Sequence, residues 1–233
     1  MREQRGFTLA EIAIVMVIIG LLLGGIMRGQ EMVTQARIKN VVSDFSGLSA
    51  AFQGYFDRYR KIPGDDPCAG AGPALTVGNC GTATPRWTGT PPAVGGNGDG
   101  IVSGAYNSAT PTNESRLWWD HLRRAGFVTG IGDQQPFNAL TGMIGVQTGD
   151  AAGGAALGSD AAGTGGLIGL IICSANLPDK VAIATDEQLD DGVPAAGTVR
   201  AQLQAAPNPS VAKQATVAYA ESGTNVYTVC RPL

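Results

Sequence analysis

Charge is scarce in this chain. Only 15% of its 233 residues are Asp, Glu, Lys or Arg, and the formal net charge at pH 7 is −3. So weak a field offers no footprint for a polyanion, and no specific nucleic-acid partner is expected. Histidine occurs once, at His121. No Cys or Ser stands out as its partner, and the sequence holds no Walker loop, no HExxH and no nucleophile elbow. Acid–base and nucleophilic catalysis lose their usual carriers, so an enzyme is not expected. The four cysteines form no CxxC pair, which removes the common spacing of a structural zinc site. No cofactor is expected on these grounds. Proline is missing from the first 62 residues, so nothing there forces a helix to break.

What the chain does have is glycine, alanine and one long apolar run. Between Phe7 and Met27 the single charge is Glu11. As a helix this run is roughly 32 Å long, enough to span a bilayer. A carboxylate in such a segment is expensive and usually marks function. The run does not read as a cleaved secretory signal, which would place small residues at a cleavage site after the apolar region. Here a short polar leader, MREQRG, comes before it. Downstream, Gly20 and Gly24 are spaced to allow close helix approach in lipid, and with Gly25 and Gly29 they weaken the helix locally.

The junction Gly6-Phe7-Thr8-Leu9-Ala10-Glu11, with a basic leader before it and unbroken aliphatics after it, resembles the N-terminal signature of type IV prepilins and type II secretion pseudopilins. The resemblance covers Gly6 to about Arg60. It implies cleavage after Gly6 by a membrane prepilin peptidase and N-methylation of the new terminus at Phe7. Arg2 and Arg5 would hold the leader on the cytoplasmic side. It further implies that the carboxylate of Glu11 pairs with the terminal amine of a neighbouring subunit during assembly. A matched pair in low dielectric is far less costly than a lone charge, so the pair would set the axial stagger. Thr8 is expected to cap the nascent helix.

Beyond the apolar run, Ile38, Val41, Val42, Phe45, Leu48, Phe52, Tyr55, Phe56 and Tyr59 recur every three or four residues. This amphipathic stripe predicts a continued helix, ended by Pro63 and Gly64 and backing a sheet. The expected organisation is a leader at residues 1–6, a transmembrane or filament-core helix at 7–27 and the amphipathic half of the same helix at 28–60. A Pro/Gly-rich connecting loop at 61–112 follows, then a short helix and antiparallel sheet of a globular head at 113–233. The fold class is α+β and, by the resemblance, type IV pilin-like. Asn113 to Gly126 reads as the short helix, with Asn113 as N-cap, Glu114 in the first turn, Arg123 and Arg124 in the last, and Gly126 as stop. Its apolar face carries Leu117, Trp118, His121, Leu122 and Ala125, which makes His121 a packed residue with one satisfied ring nitrogen. Strand-like runs lie at 142–146, 167–173, 181–185, 216–220 and 225–230, with a hairpin turn at 221–225. Residues 149–166 and 192–213 read as flexible exposed inserts.

Four cysteines allow three connectivities, and the thiols of an exported chain favour oxidation. Cys68–Cys80 is the local pairing. Cys173–Cys230 would close the C-terminal region and resembles the C-terminal disulfide of many type IV pilins. The stretch GGNGDGIVSG, residues 95–104, has part of a calcium loop: Asn97 and Asp99 could supply oxygens and Gly100 the turn, while the first carboxylate and the closing Glu are missing. Asp65-Asp66 and the stretch TDEQLDDG are further acidic turns. Asn113-Glu114-Ser115 fits the glycosylation sequon.

The resemblance implies a structural subunit, major or minor, of a type IV pilus, polymerising with copies of itself or other pilins after handling by the peptidase and an inner-membrane assembly platform. It would sit in a bacterial inner membrane with its head in the periplasm, and then in a surface fibre. The alternative is a pseudopilin of a type II secretion system. A second alternative is a membrane-tethered adhesin or other binding module, with Trp87, Trp118 and Trp119 as candidate contact residues.

Overall fold

The computed structural model describes residues 9–90 and 93–233. The leader, Gly6, Phe7 and the Thr8 cap lie outside the described residues. Helix α1 (Leu9–Tyr59) is continuous over 51 residues. It contributes to two compact units, one running to Arg37 and one from Ile38 to Leu233. In the first unit its side chains are almost all exposed. In the second, Ile38, Val41, Phe45, Ala51 and Tyr55 are buried, with half-buried Leu48 and Phe52 between them, which puts one helical stripe on the core. Phe56, expected on that stripe, is 37% exposed. The helix stops when Arg60 takes a left-handed backbone, φ 53°, with its N–H on the Phe56 carbonyl, and Pro63 and Gly64 follow.

After α1 come a short helix α2 (Val77–Cys80) and helix α3 (Glu114–Arg124). Strands β1 (Ile144–Thr148) and β2 (Leu170–Pro178), helix α4 (Asp179–Leu189), and strands β3 (Arg200–Leu203) and β4 (Val226–Pro232) complete the head. The four strands form one antiparallel sheet in the order β1-β2-β4-β3. The architecture is α+β and pilin-like, a long N-terminal helix whose second half packs on an antiparallel sheet.

Both faces of the sheet are covered. Side chains alternate along a strand, so Ile172 and Val229 face one way while Ile171, Cys173 and Cys230 face the other. The first face packs on α1, on Trp118, Trp119 and Leu122 of α3, and on Val181 and Ala182 of α4. The second packs on Tyr106, Ala156, Leu157, Leu167 and Val211. Ala156 and Leu157 are wholly buried, so the insert at 149–166 is not the exposed flexible loop its composition suggests; its small residues let it lie flat on the sheet.

Four further expectations are corrected. Residues 181–185 are helical in α4, because Val181, Ala182, Thr185 and Asp186 are buried at helical spacing and packing overrides β-branched preference. Residues 216–220 form no strand, although the Thr216 N–H reaches the Gly158 carbonyl at 3.0 Å. β3 lies inside the expected insert at 192–213. Helix α3 was expected to be amphipathic, yet every residue from Glu114 to Leu122 is buried. The connecting loop wraps its polar side, which positions the groups considered next.

Candidate functional site

Among the described residues, the longest run of exposed apolar side chains lies on the first part of α1. Leu9, Leu21, Met27 and Met32 are each more than two-thirds exposed. A surface of that size marks a membrane or a partner. The helix is also long and apolar enough to cross a membrane. Glu11 sits exposed in its first turn, where the helix dipole favours a negative charge. Gly20, Gly24, Gly25 and Gly29 have open space where a Cβ would project, leaving a smooth surface for close approach.

In the head, one buried network fastens the connecting loop to α1. The Asp66 carboxylate is fully buried and accepts from the Tyr55 hydroxyl at 2.6 Å and the Cys68 N–H at 2.8 Å. Arg86 closes the same carboxylate as an ion pair and lies over the Tyr59 ring at 4.1 Å. Burial, then the adjacent Asp66, push the Tyr55 phenol far above its ordinary range. Trp87 packs edge-on against Tyr59 at 5.8 Å. His121 ties the loop to α3: Nδ1 accepts from the Gly64 N–H at 2.9 Å, and Nε2 lies 2.8 Å from the Val94 carbonyl. Both ring nitrogens are therefore occupied, one more than expected. A carbonyl only accepts, so the ring is neutral with its proton on Nε2. Burial holds its pKa below the usual histidine value.

The loop at 95–104 is wired through its N–H groups. Asp65 Oδ1 accepts from Gly98 at 2.6 Å and Asp99 at 3.1 Å, and Oδ2 from Gly100 at 2.9 Å. Glu114 accepts from the N–H groups of Asn97 and Ser103 and from the Ser103 hydroxyl, at 2.8–3.0 Å. Burial pushes the Asp65 carboxyl up to about 6, against the downward pull of the Gly100 and Gly98 donors. Oxygens of Asp65, Asp99 and Glu114 converge to within 4.8 Å of one another. Asn97 and Asp99, the expected calcium ligands, bond mainly to each other and their neighbours: Asn97 Oδ1 accepts from the Asp99 N–H, and Asn97 Nδ2 donates to Asp99 Oδ2. The loop thus closes as a nest of donors around two carboxylates of its own chain. Spacing within the loop could not show that Asp65 and Glu114, outside it, are the residues holding it. The second acidic group, Asp186, Asp190 and Asp191, is likewise engaged: Asp186 accepts from the Tyr219 hydroxyl at 2.8 Å, and Asp190 from the Thr198 and Val199 N–H groups.

Two disulfides are present, Cys68–Cys80 and Cys173–Cys230. The second joins directly opposed residues of β2 and β4. Trp118 and Trp119 are completely buried, and Trp87 is half-buried, so the aromatic patch considered for adhesion does not form from them. The sequon is built into the fold: Asn113 Nδ2 donates to the Ser108 hydroxyl, and Ser115 is wholly buried.

Residues 1–27 match the family model of the prokaryotic N-terminal methylation motif, the prepilin signature shared by type IV pilins and pseudopilins. No curated protein and no solved structure matches the chain. Signature, apolar helix and sheet head together support a type IV pilin-like or pseudopilin protein.

Proposed function

We propose that this chain is a structural subunit of a type IV pilus, cut after Gly6 by prepilin peptidase, N-methylated at Phe7 and polymerised through α1. One observation carries the reading. Exposed apolar side chains run along α1 from Ile12 to Met27 with no charge among them, whereas the exposed large hydrophobics of the head, Ile131, Phe137 and Ile168 among them, stand singly along the sequence. The outer edge of β1 is paired to loops, through Ile144 N–H to the Pro136 carbonyl at 2.9 Å and Thr148 N–H to the Val102 carbonyl at 3.1 Å. On the other side, the Ala201 N–H of β3 reaches the Pro194 carbonyl at 3.2 Å. With these edge donors paired, the sheet is a poorer template for strand addition, which favours helix packing as the route to a polymer. Glu11 supplies the counter-charge for the amine of the preceding subunit. The C-terminal strand, pinned by Cys173–Cys230, gives the head a covalently braced sheet suited to a fibre outside the cell.

The test is mechanical shearing of cells that make the protein, followed by mass spectrometry of the released fibres. The pilus reading expects this chain among them, beginning at N-methylated Phe7. Processed chain found only in the envelope, together with loss of protein secretion on its deletion, would instead assign it to a pseudopilus.

A further inference from the structure

The Asn97–Gly98 turn holds chemistry that assembly does not use. A backbone nitrogen attacks the preceding carboxamide only under certain conditions. The next residue must not crowd the approach, the nitrogen must lose its proton, and the carbonyl must be polarised. Gly98 meets the first: it lacks a side chain and takes a φ of 78°. Its N–H points at the Asp65 carboxylate, 2.6 Å away. The Asn97 carbonyl oxygen receives the Asp99 N–H at 3.0 Å, and its amide nitrogen donates to the Asp99 carboxylate at 2.8 Å. On the far side the Asn97 N–H is fixed to Glu114 at 2.9 Å. Asn97 and Gly98 are both exposed, so water reaches the turn.

We propose that Asn97 is a self-modifying residue, converted through a succinimide to aspartate and isoaspartate within the folded head. The Gly98 nitrogen bonds to Cγ of Asn97 as its proton passes to Asp65, a general base already in place. Charge developing on Oδ1 is met by the Asp99 N–H. The Cγ–Nδ2 bond then breaks, and Nδ2 leaves as ammonia, taking up the proton that Asp65 received. Water opens the ring. Attack at Cγ restores a normal peptide with aspartate at 97, and attack at the main-chain carbonyl gives isoaspartate. One water is consumed, one ammonia is released and nothing is oxidised or reduced. The product carboxylate stands beside Asp65, Asp99 and Glu114 and no longer donates to Asp99, so conversion loosens this loop and its hold on the start of α3.

The test uses full-length protein in detergent, incubated at neutral pH in oxygen-18 water, with peptide mapping of the fragment between Arg86 and Arg116. Fragment spectra separate Asn97 from Asn107 and Asn113. The proposal expects conversion at Asn97 to be at least about a hundred-fold faster in the folded chain than in the same chain in urea, the lower range of a positioned base. Asp65→Asn should bring the folded rate down to the urea rate and leave the urea rate unchanged. A folded rate equal to or below the urea rate overturns the proposal, and this comparison needs no variant that could disturb folding. If the protein is isolated already converted, the proposal requires that Asp65→Asn protein isolated alike retains Asn97; conversion of both overturns it.

Discussion

At the scale of single residues, His121 shows how a side chain with no catalytic partner still sets a property of the molecule. Its neutral ring accepts from Gly64 and donates to Val94, joining the connecting loop to α3 at two points. Protonation would turn Nδ1 into a donor facing a donor. Burial lowers its pKa, the Val94 carbonyl and the carboxylates of Asp66 and Asp120 pull it back up, and Arg86 lowers it again. The folded pKa lies below the unfolded value, so the stability is present above about pH 6.5 and is lost as pH falls, by at most ~1.4 kcal/mol per pH unit. Asp65 acts in the opposite sense. Its folded pKa of about 6 means that acidification toward the unfolded carboxylate range favours the fold. His121→Gln, which keeps a donor and an acceptor but does not titrate, separates the two. Urea unfolding of wild type should weaken from neutral to mildly acidic pH more steeply than that of the variant. Parallel profiles would show that protonation of His121 does not report on the fold.

Among the elements, β2 and β4 carry the strongest dependence. They occupy the middle of the sheet, and Cys173 faces Cys230 across them with Cα atoms 4.1 Å apart. The bridge spans a sequence separation of 57 residues, against 12 for Cys68–Cys80. Loop-closure entropy then gives about 4 kcal/mol for the long bridge and about 3 for the short one. Replacing both Cys173 and Cys230 by Ala should therefore lower the unfolding free energy by ~2–5 kcal/mol. Replacing Cys68 and Cys80 should mainly loosen residues 68–90. Hydrogen exchange read peptide by peptide, beside urea unfolding, checks both. An unchanged unfolding midpoint in the Cys173/Cys230 variant would mean that the β2–β4 ladder alone constrains the terminus.

For the whole molecule the decisive contrast is between an exposed run of α1 that carries no charge from Ile12 to Met27 and a head whose two sheet faces are covered and whose edge donors at Ile144, Thr148 and Ala201 are paired within itself. If Glu11 only tolerates its place in an anchor, Glu11→Leu should be neutral or should improve membrane retention. In the pilus reading the same change should leave insertion and cleavage intact while fibres fail or become scarce, because each added subunit buries a terminal amine without its counter-charge. Breaking one side of a buried pair costs about 3–5 kcal/mol. Sheared-fibre yield beside N-terminal processing measures this, and normal fibres from fully processed Glu11→Leu as the sole copy would remove Glu11 from assembly.

The parts of this protein written in local pattern were legible in the sequence itself. The prepilin junction, the apolar run with its one acid and the stripe from Ile38 to Tyr59 repeat within a turn or two of helix, so neighbouring residues determine them. The tertiary structure alone decided what depends on distant partners. Val181 to Thr185 became helix because a helical face was what the sheet offered to cover. The insert at 149–166 became the second core because Tyr106 and Val211 meet it over the far face of the sheet. Spacing within the loop at 95–104 offers Asn97 and Asp99, while the carboxylates that receive its N–H groups come from outside it, Asp65 some 33–35 residues earlier and Glu114 after it. A hydrogen bond carries no periodicity. Whether a carboxylate faces a cation or a backbone donor is set by which chain segments the core brings together, and that is fixed only when the whole head packs.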